Sequence, residues 1–183
     1  SGQEQIQRMD GLIKNLVELA RSEEALPPSA VTTVSVSDVA EASAEIFRPL
    51  AEAAGKSLAA DIAPALAVNG VPDDIRRLFA LLLDNAVKYC DEGGAIQLTA
   101  LRCGKNVLIK ISNPCAGLDA SQLPHYFDRF YRADSSRARA TGGNGIGLST
   151  AKAIVTRHRG HITNDYRQGV ISFTVSLPQS SPK

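Results

Sequence analysis

Apolar residues in this chain recur at helical spacing over several long stretches. The clearest stripe begins at Pro72 and predicts a helix whose buried side holds Ile75, Leu78, Phe79, Leu82, Leu83 and Ala86. Gly93 and Gly94 are predicted to end it. An earlier helix is predicted to start at a cap formed by Ser37 or Asp38 and to end at Gly55. Two further helices are predicted at 122–131 and 146–159.

Alternating apolar and polar residues predict strands between these helices. The predicted strands are 31–36, 58–62, 95–102, 106–112, 160–166 and 170–177. The third and fourth form a hairpin around Gly104 and Lys105. Helices interleaved with hairpin strands predict a two-layer α/β (α+β) sandwich, in which helices cover one face of a mixed sheet.

A separate apolar stripe lies near the N-terminus, ahead of Pro27 and Pro28. Its residues alternate in steps of three and four, as in a coiled-coil seam: Ile6, Met9, Ile13, Leu16 and Ala20. The two prolines end this helix and begin a linker. The helix either docks on its own domain or pairs with a partner helix. Its separation by the prolines favours the partner helix, because a helix of this length is marginal alone.

Composition narrows the class of protein. The 183 residues suit one domain with a modest attachment, and a hydrophobic content of 44% suffices for an ordinary core. A net charge of +1 disfavours a nucleic-acid partner. No apolar run reaches the roughly 20 residues of a membrane-spanning helix. Cys90, Cys103 and Cys115 lack metal-ligand or redox spacing, which predicts free thiols in a reducing cytosol.

Two short stretches carry the candidate chemistry: 84–89, on the strongest helix, and 143–148, a glycine-rich strip that opens another helix. In the first, Asn85 offers a neutral oxygen to a hard cation such as Mg²⁺. In the second, bare backbone amides and a helix N-terminus attract phosphate. Lys88 and Tyr89 could instead form an exposed helix end, and the glycines a flexible loop. Together, the two stretches predict a nucleotide site.

Four motifs give the chain its resemblance to a known family. The segments 85–89, 127–132 and 143–147 resemble the asparagine box, phenylalanine box and glycine box of bacterial sensor histidine kinases. Arg8, Met9 and the segment 19–21 resemble the end of the second helix of the dimerisation and phosphotransfer hairpin. The resemblance implies a GHKL (Bergerat) ATP-binding fold. It also implies four divisions: a partial hairpin (1–26), a linker with the first strand (27–37), a catalytic domain (38–178) and a tail (179–183).

The resemblance also implies roles for individual residues. Asn85 resembles the magnesium-binding asparagine, Lys88 the lysine that reaches the phosphates, and Tyr89 a residue that flanks the nucleotide. Arg132 and Arg137 resemble basic lid positions near the terminal phosphates, while Arg129 and Arg139 fit an ordinary solvated loop equally well. The remaining implied nucleotide contacts are Asn113, Gly117, Leu118, Tyr131, Gly143, Asn144, Gly145, Ile146, Gly147 and Leu148. Phe127, Phe130 and Tyr131 are expected to pack and tether the lid.

The chain departs from the family pattern at two places and from related ATPases at a third. Asn113 stands where most members carry an aspartate that accepts the adenine amino proton, and an amide oxygen still offers an acceptor there. The usual threonine near the C-terminus is eroded, which leaves Ser172 or Thr174 as substitutes. Related ATPases have a water-activating glutamate one helical turn before the asparagine. This chain has Leu81 there, and an aliphatic side chain cannot act as a base.

The expected function is that of the ATP-binding catalytic fragment of a sensor histidine kinase. Such a fragment binds Mg-ATP and donates the γ-phosphoryl to a histidine on the first hairpin helix, which is expected to precede residue 1. A response-regulator receiver domain then takes the phosphoryl group. The hairpin implies a homodimer in the intact protein and a cytoplasmic location, with any membrane segment outside this chain. The alternatives are a degenerate nucleotide-binding module without phosphotransfer and an anti-sigma-type serine kinase.

Overall fold

The computed structural model describes residues 2–23, 26–131 and 146–181. Within these ranges the helices are α1 (Gly2–Glu23), α2 (Val36–Ala53), α3 (Pro72–Tyr89) and α4 (Gly147–Arg157). The strands are β1 (Thr32–Ser35), β2 (Ser57–Ile62), β3 (Ala67–Gly70), β4 (Ala95–Cys103), β5 (Asn106–Pro114), β6 (His161–Arg167) and β7 (Val170–Pro178). Two short 3-10 helices span Pro28–Ala30 and Ala120–His125.

The strands form a five-stranded sheet with the order β2-β4-β5-β7-β6, and β1 pairs with β3 beside it. The pair β2–β4 is parallel and the other pairs of the main sheet are antiparallel. Along β4, β5 and β7, buried residues alternate with more exposed ones. One face of the sheet is therefore covered by helices and the other is not. This arrangement confirms the predicted two-layer sandwich with a mixed sheet.

Helix α3 supplies the centre of the core, as the sequence predicts. Its predicted apolar side is buried at all six positions: Ile75, Leu78, Phe79, Leu82, Leu83 and Ala86. Phe79 is fully buried, with 0% of its surface exposed. Pro72 occupies the first turn, where its missing N–H costs no helical hydrogen bond. Burial of this side also fixes the direction in which the opposite side of α3 faces. It therefore positions the polar residues of the last two turns.

The start of α2 differs from the prediction. Ser35, rather than Ser37 or Asp38, caps this helix, because its hydroxyl accepts a hydrogen bond from the Asp38 amide at 3.2 Å. Ser37 lies inside the first turn, where its hydroxyl donates to the Ala63 carbonyl and accepts from the Leu66 amide. Tertiary contacts with a distant loop thus decide which serine forms the cap. The predicted end is confirmed, because Gly55 adopts a positive φ of 74° directly after the Ala54 cap.

Three other elements differ from the predictions. Helix α3 ends at Tyr89 with Cys90 as its cap, before Gly93 and Gly94, and Gly93 instead shapes the following turn with a φ of 75°. The helix predicted at 122–131 is a 3-10 helix over Ala120–His125, because Pro124 removes a donor that an α-helix needs. The four-residue strand β3 carries too short a pattern to be predicted.

The N-terminal helix is present as predicted and leaves much of its apolar stripe exposed. The side chains of Ile6, Met9, Ile13 and Val17 are each more than half exposed. Leu12 and Leu16 are partly buried, and α1 lies beside α4. None of the described helices is long and apolar enough to cross a membrane. Pairing of the exposed stripe with a partner helix stays a prediction.

The three cysteines are free thiols in different surroundings. Cys90 and Cys115 are buried and Cys103 is exposed. Burial raises the pKa of the Cys90 thiol, so less of the reactive thiolate forms at a given pH. We expect iodoacetamide at pH 8 to alkylate Cys103 in the folded chain, and Cys90 and Cys115 only after denaturation. Mass spectrometry of the labelled peptides measures this, and equal labelling of all three thiols in the folded chain would contradict the burial of Cys90 and Cys115.

Candidate functional site

Helix α3 presents three of the predicted site residues on its last two turns. Asn85, Lys88 and Tyr89 are all half-buried. Leu81 precedes Asn85 by four positions and Lys88 follows it by three, so these residues share one face of the helix. The Lys88 ammonium lies 2.9 Å from the Asp84 carboxylate. This face therefore carries a neutral amide and a positive charge side by side at the end of the helix.

The start of α4 lies against that same face of α3. A Cβ atom built on Gly147 would lie 3.8 Å from Leu81 Cδ2. Ile146 is buried at the helix start, while Gly147 and Leu148 are half-buried. Among the described residues, no side chain forms a capping hydrogen bond at this helix start. The first amides of α4 therefore point toward the end of α3, where they favour a negatively charged group.

Two contacts at the far ends of these helices hold them in register. The Arg157 guanidinium at the end of α4 pairs with the Asp74 carboxylate at the start of α3. His158 follows α4 and is buried, with its Nδ1 2.7 Å from the Ile154 carbonyl oxygen. Its Nε2 accepts a hydrogen bond from the Val71 amide at 3.1 Å. This pairing fixes the antiparallel packing that places Gly147 beside Leu81.

The end of β5 forms a third wall of the candidate site, beside the end of α3 and the start of α4. Asn113 is 2% exposed and lies on the helix-covered face of the sheet. Its Nδ2 donates to the Pro114 carbonyl at 3.1 Å, which directs the amide oxygen away from that carbonyl. Gly117 follows with a positive φ of 74°, and Leu118 is half-buried. The positive φ favours glycine at the point where the loop turns away from the sheet.

Two residues that support this wall carry no local sequence pattern that marks them. Asp91 accepts a hydrogen bond from the Ala116 amide at 2.8 Å, while its own amide donates to the Pro114 carbonyl at 2.9 Å. The Lys56 ammonium donates to the Val87 carbonyl at the end of α3. Both partners lie far along the chain, so no local pattern marks them. These bonds tie the end of α3 to β2 and to the loop after β5.

Two groups of sequence expectations need correction. Ser172 and Thr174 alternate along β7 with the buried Ile171 and Phe173, so they face away from Asn113, which pairs with Ile171. They do not replace the family threonine on the helix-covered face. Phe127 and Tyr131 pack against the core as expected. Phe130 is 53% exposed, with a φ of 63°, because the chain turns there and directs the ring outward.

The structure thus brings eight predicted site residues into one region formed by the end of α3, the start of α4 and the loop after β5. They are Asn85, Lys88, Tyr89, Asn113, Gly117, Ile146, Gly147 and Leu148. Leu118 follows on the same loop. Tyr131 donates to Gln122 Oε1 at 3.1 Å and lies beside Tyr126. The predicted residues Arg132, Arg137, Gly143, Asn144 and Gly145 lie outside the described residues.

Sequence comparison identifies the family. Residues 70–181 match the family of histidine kinase-, DNA gyrase B- and HSP90-like ATPases. The chain belongs to this family. The match spans α3, α4 and the loop after β5, and so includes every wall of the site.

Curated relatives that resemble this chain are histidine kinases. It is 32% identical over 177 residues to the signal transduction histidine-protein kinase BaeS of Escherichia coli K12, covering 96% of this chain and 38% of that protein. It is 32% identical over 173 residues to the sensor histidine kinase RppB of a Synechocystis strain, covering 93% of this chain and 38% of that protein. The chain therefore spans well under half the length of these relatives.

Solved structures agree on the fold. The histidine kinase AdeS of Acinetobacter baumannii superimposes with a TM-score of 0.76 at 19% identity, over 97% of this chain and 82% of that one. Full-length ShkA in complex with AMPPNP superimposes with a TM-score of 0.79 at 19% identity, over 94% of this chain and 36% of that one. At least part of α1 falls within these matches, because each leaves out fewer residues than this helix contains.

Proposed function

We propose that this chain binds Mg-ATP between α3, α4 and the loop after β5, and that it donates the γ-phosphoryl group to a histidine of a sensor kinase. The observation that carries the proposal is the close approach of Gly147 to Leu81, where an added Cβ atom would lie 3.8 Å from Leu81 Cδ2. It sets the start of α4 against the face of α3 that holds Asn85 and Lys88. Groups that favour phosphate and a metal ion therefore meet in one place.

The phosphate end is built from α3 and α4. Asn85 is the proposed metal ligand through its amide oxygen, and Lys88 the residue that reaches the phosphates. Among the described residues no three His, Cys, Asp or Glu side chains lie close enough together to hold a metal ion. An Mg²⁺ ion suits such a site because it takes few protein ligands and keeps phosphate and water oxygens. When bound, Mg²⁺ would neutralise charge that develops on the transferred group.

Lys88 pairs with Asp84 at 2.9 Å and is about one-third exposed. Its ammonium group can therefore turn toward phosphate without a costly change in burial. Gly147 and Leu148 would face the phosphates through their backbone amides. Arg132, Arg137, Gly143, Asn144 and Gly145 are proposed to complete this end as lid residues.

The base end is built from Asn113, Gly117, Leu118, Tyr89 and Tyr131. Asn113 is proposed to accept a hydrogen bond from the adenine amino group. Its Nδ2 donates to the Pro114 carbonyl, which supports an outward-facing oxygen. The other members are proposed to flank the base and ribose with apolar and aromatic surface.

The phosphoryl acceptor and the later partners are proposals about the whole protein. The acceptor is proposed to be a histidine on the first hairpin helix, and a response-regulator receiver domain is proposed to take the phosphoryl group from it. The exposed stripe of Ile6, Met9, Ile13 and Val17 on α1 is proposed to join a homodimeric four-helix bundle. Leu81 supports transfer to a protein rather than to water, since it supplies no base to activate a water molecule.

A titration with a fluorescent ATP analogue tests the proposed function. We expect saturable binding with Mg²⁺ and a marked loss of affinity when EDTA removes the metal. Unlabelled ATP should displace the analogue. Absence of saturable binding in the presence of Mg²⁺, with circular dichroism showing a folded chain, would contradict the proposal.

The proposed contact of Asn113 with adenine predicts that the site prefers ATP over GTP. Guanine places a carbonyl where adenine places an amino donor, so GTP would leave the Asn113 oxygen unpaired. The cost is about 1 to 3 kcal/mol, and ATP should bind more tightly than GTP by that amount. In Asn113→Asp the preference should be larger, because a carboxylate cannot rotate to donate to guanine. Competition by ATP and GTP in both proteins measures this, and equal affinities throughout would show that residue 113 does not contact the base.

The histidines of this chain are predicted not to accept phosphate. His158 is buried, with both ring nitrogens engaged at short distances by backbone groups. His125 Nδ1 lies 3.1 Å from the Asp128 carboxylate, and His161 lies on β6. We expect no acid-labile phosphate on this chain after incubation with γ-labelled ATP and Mg²⁺. Labelling at any of the three, mapped by mass spectrometry at neutral pH, would contradict this assignment.

A further inference from the structure

Asp91 reaches the loop after β5 through two hydrogen bonds. Its amide donates to the Pro114 carbonyl at 2.9 Å, and its carboxylate oxygen Oδ2 accepts from the Ala116 amide at 2.8 Å. The side chain of Asp91 is half-buried, and the residue follows Tyr89, the last residue of α3, by two positions. One residue therefore joins the end of α3 to two points of this loop.

The turn that begins at Asp91 packs directly against the same loop. The Gly94 amide donates to the Asp91 carbonyl at 2.9 Å, which closes the turn. A Cβ atom built on Gly94 would lie 2.7 Å from Pro114 Cγ and 2.7 Å from Cys90 Sγ, so this position has no room for a side chain. The backbone of Asp91 is thereby held beside Pro114, and its carboxylate extends from there to the Ala116 amide.

Two further hydrogen bonds attach the loop to the sheet. The Cys115 amide donates to the Gly169 carbonyl at 2.8 Å, and the Tyr166 hydroxyl donates to the Cys115 carbonyl at 2.7 Å. These bonds fix the loop relative to β6 and to the turn before β7. The bonds of Asp91 have a different effect, because they fix the loop relative to α3.

The distance between α3 and this loop matters for the proposed nucleotide site. Asn85 and Lys88 lie on the last turns of α3, while Asn113 lies at the end of β5 and Gly117 in the loop that follows. A nucleotide that contacts both groups needs them at one separation. A loop held at that separation in advance binds more tightly, because less ordering remains to be done on binding. A carboxylate is well suited to hold it, since its bond to a backbone amide is stronger than a bond between neutral groups.

We propose that Asp91 is a positioning residue for the nucleotide site, whose carboxylate holds the loop after β5 in its binding arrangement before the nucleotide arrives. This inference rests on the proposed function and adds a residue to it. Asp91 acts through the loop rather than through contact with the nucleotide. Its contribution therefore depends on an acceptor oxygen for the Ala116 amide and not on its negative charge.

Asp91→Ala and Asp91→Asn together test this role. We expect the affinity of Asp91→Ala for Mg-ATP to fall by roughly tenfold, as for a loop that holds the binding arrangement about one-tenth of the time. Asp91→Asn keeps an acceptor oxygen and loses the charge, so its affinity should stay within about twofold of wild type. Isothermal titration calorimetry gives the affinities, and circular dichroism checks that each variant is folded.

Glu92→Ala is the matched control, because Glu92 is an exposed acid next to Asp91 on the same turn. Removing an acid near a triphosphate weakens repulsion, so charge alone would tighten ATP binding slightly in Glu92→Ala and in both Asp91 variants. Weaker binding in Asp91→Ala, with unchanged or slightly tighter binding in Glu92→Ala, is the pattern that the positioning role predicts.

Hydrogen exchange measured by NMR reports the arrangement of the loop without any nucleotide. The Ala116 amide should exchange slowly in the nucleotide-free wild-type chain and in Asp91→Asn, and quickly in Asp91→Ala. Fast exchange in the wild-type chain that slows only when Mg-ATP is added would overturn the inference, because the nucleotide would then order the loop. This measurement on the wild-type chain holds even if Asp91→Ala does not fold.

Two affinity results would also overturn the inference and leave the proposed function standing. One is wild-type affinity for Mg-ATP in a folded Asp91→Ala chain. The other is an equal loss of affinity in Asp91→Asn and Asp91→Ala, which would assign the effect to the charge. If the wild-type chain binds no Mg-ATP, the proposed function fails, and this inference fails with it.

Discussion

Replacing Asn85 by alanine is expected to remove magnesium-dependent nucleotide binding from a chain that remains folded. The substitution deletes the amide oxygen proposed to bind the metal and leaves the adjacent Lys88 in place. Asn85 is half-buried on α3, so truncation opens no large cavity in the core. Calorimetric titration with ATP, in Mg²⁺ and in EDTA, should give the same weak or undetectable signal for the variant under both conditions.

Asn106→Ala provides the control for that experiment. Asn106 is an exposed asparagine at the start of β5, at the opposite end of the strand from Asn113. Its removal should leave both the affinity and the response to Mg²⁺ unchanged. A folded Asn85→Ala variant that keeps the wild-type affinity in Mg²⁺ would rule out Asn85 as the metal ligand.

Replacing Phe79 by alanine is expected to lower the free energy of unfolding by about 3 to 5 kcal/mol, the usual cost of truncating a fully buried phenylalanine. Phe79 is 0% exposed and lies on the buried side of α3. The lost contacts and the remaining cavity both contribute to the cost. Urea denaturation followed by circular dichroism measures the change.

Phe130→Ala is the matched comparison, because it is the same substitution at a side chain that is 53% exposed. It should change the free energy of unfolding by less than about 1 kcal/mol, as most surface substitutions do. Similar losses for the two variants would contradict the placement of Phe79 at the centre of the core and of Phe130 at its surface.

Local sequence pattern predicted the parts of the fold that depend on periodicity. The six apolar positions from Ile75 to Ala86 are buried, because spacing of three and four residues leaves a helix one apolar side that must pack. The hairpin of β4 and β5 was predicted for a similar reason, with the turn at Gly104 and Lys105 confirmed. Asn85 and Lys88 were placed correctly on the last turns of α3 because the register of that helix was already fixed by its core residues.

Features that depend on distant partners were not predicted. The choice of Ser35 over Ser37 as a cap is set by bonds from Ser37 to Ala63 and Leu66, which no local window contains. The exposure of Phe130 depends on a turn after the 3-10 helix. The hydrogen bond between Asp91 and Ala116 joins residues that lie 25 positions apart. Each follows from tertiary contacts that override local preference.

The position of a bound metal ion distinguishes the proposed nucleotide site from any other location on the chain. Mn²⁺ can replace Mg²⁺ in a complex with ATP, and it broadens the NMR signals of amides that lie close to it. In a chain labelled with ¹⁵N, Mn-ATP should broaden the amides of Asn85 and Lys88 on α3 and of Gly147 and Leu148 on α4, while those of the Gly104 turn stay sharp. Sharp signals at the end of α3 and the start of α4, with broadening elsewhere or nowhere, would contradict the proposed site.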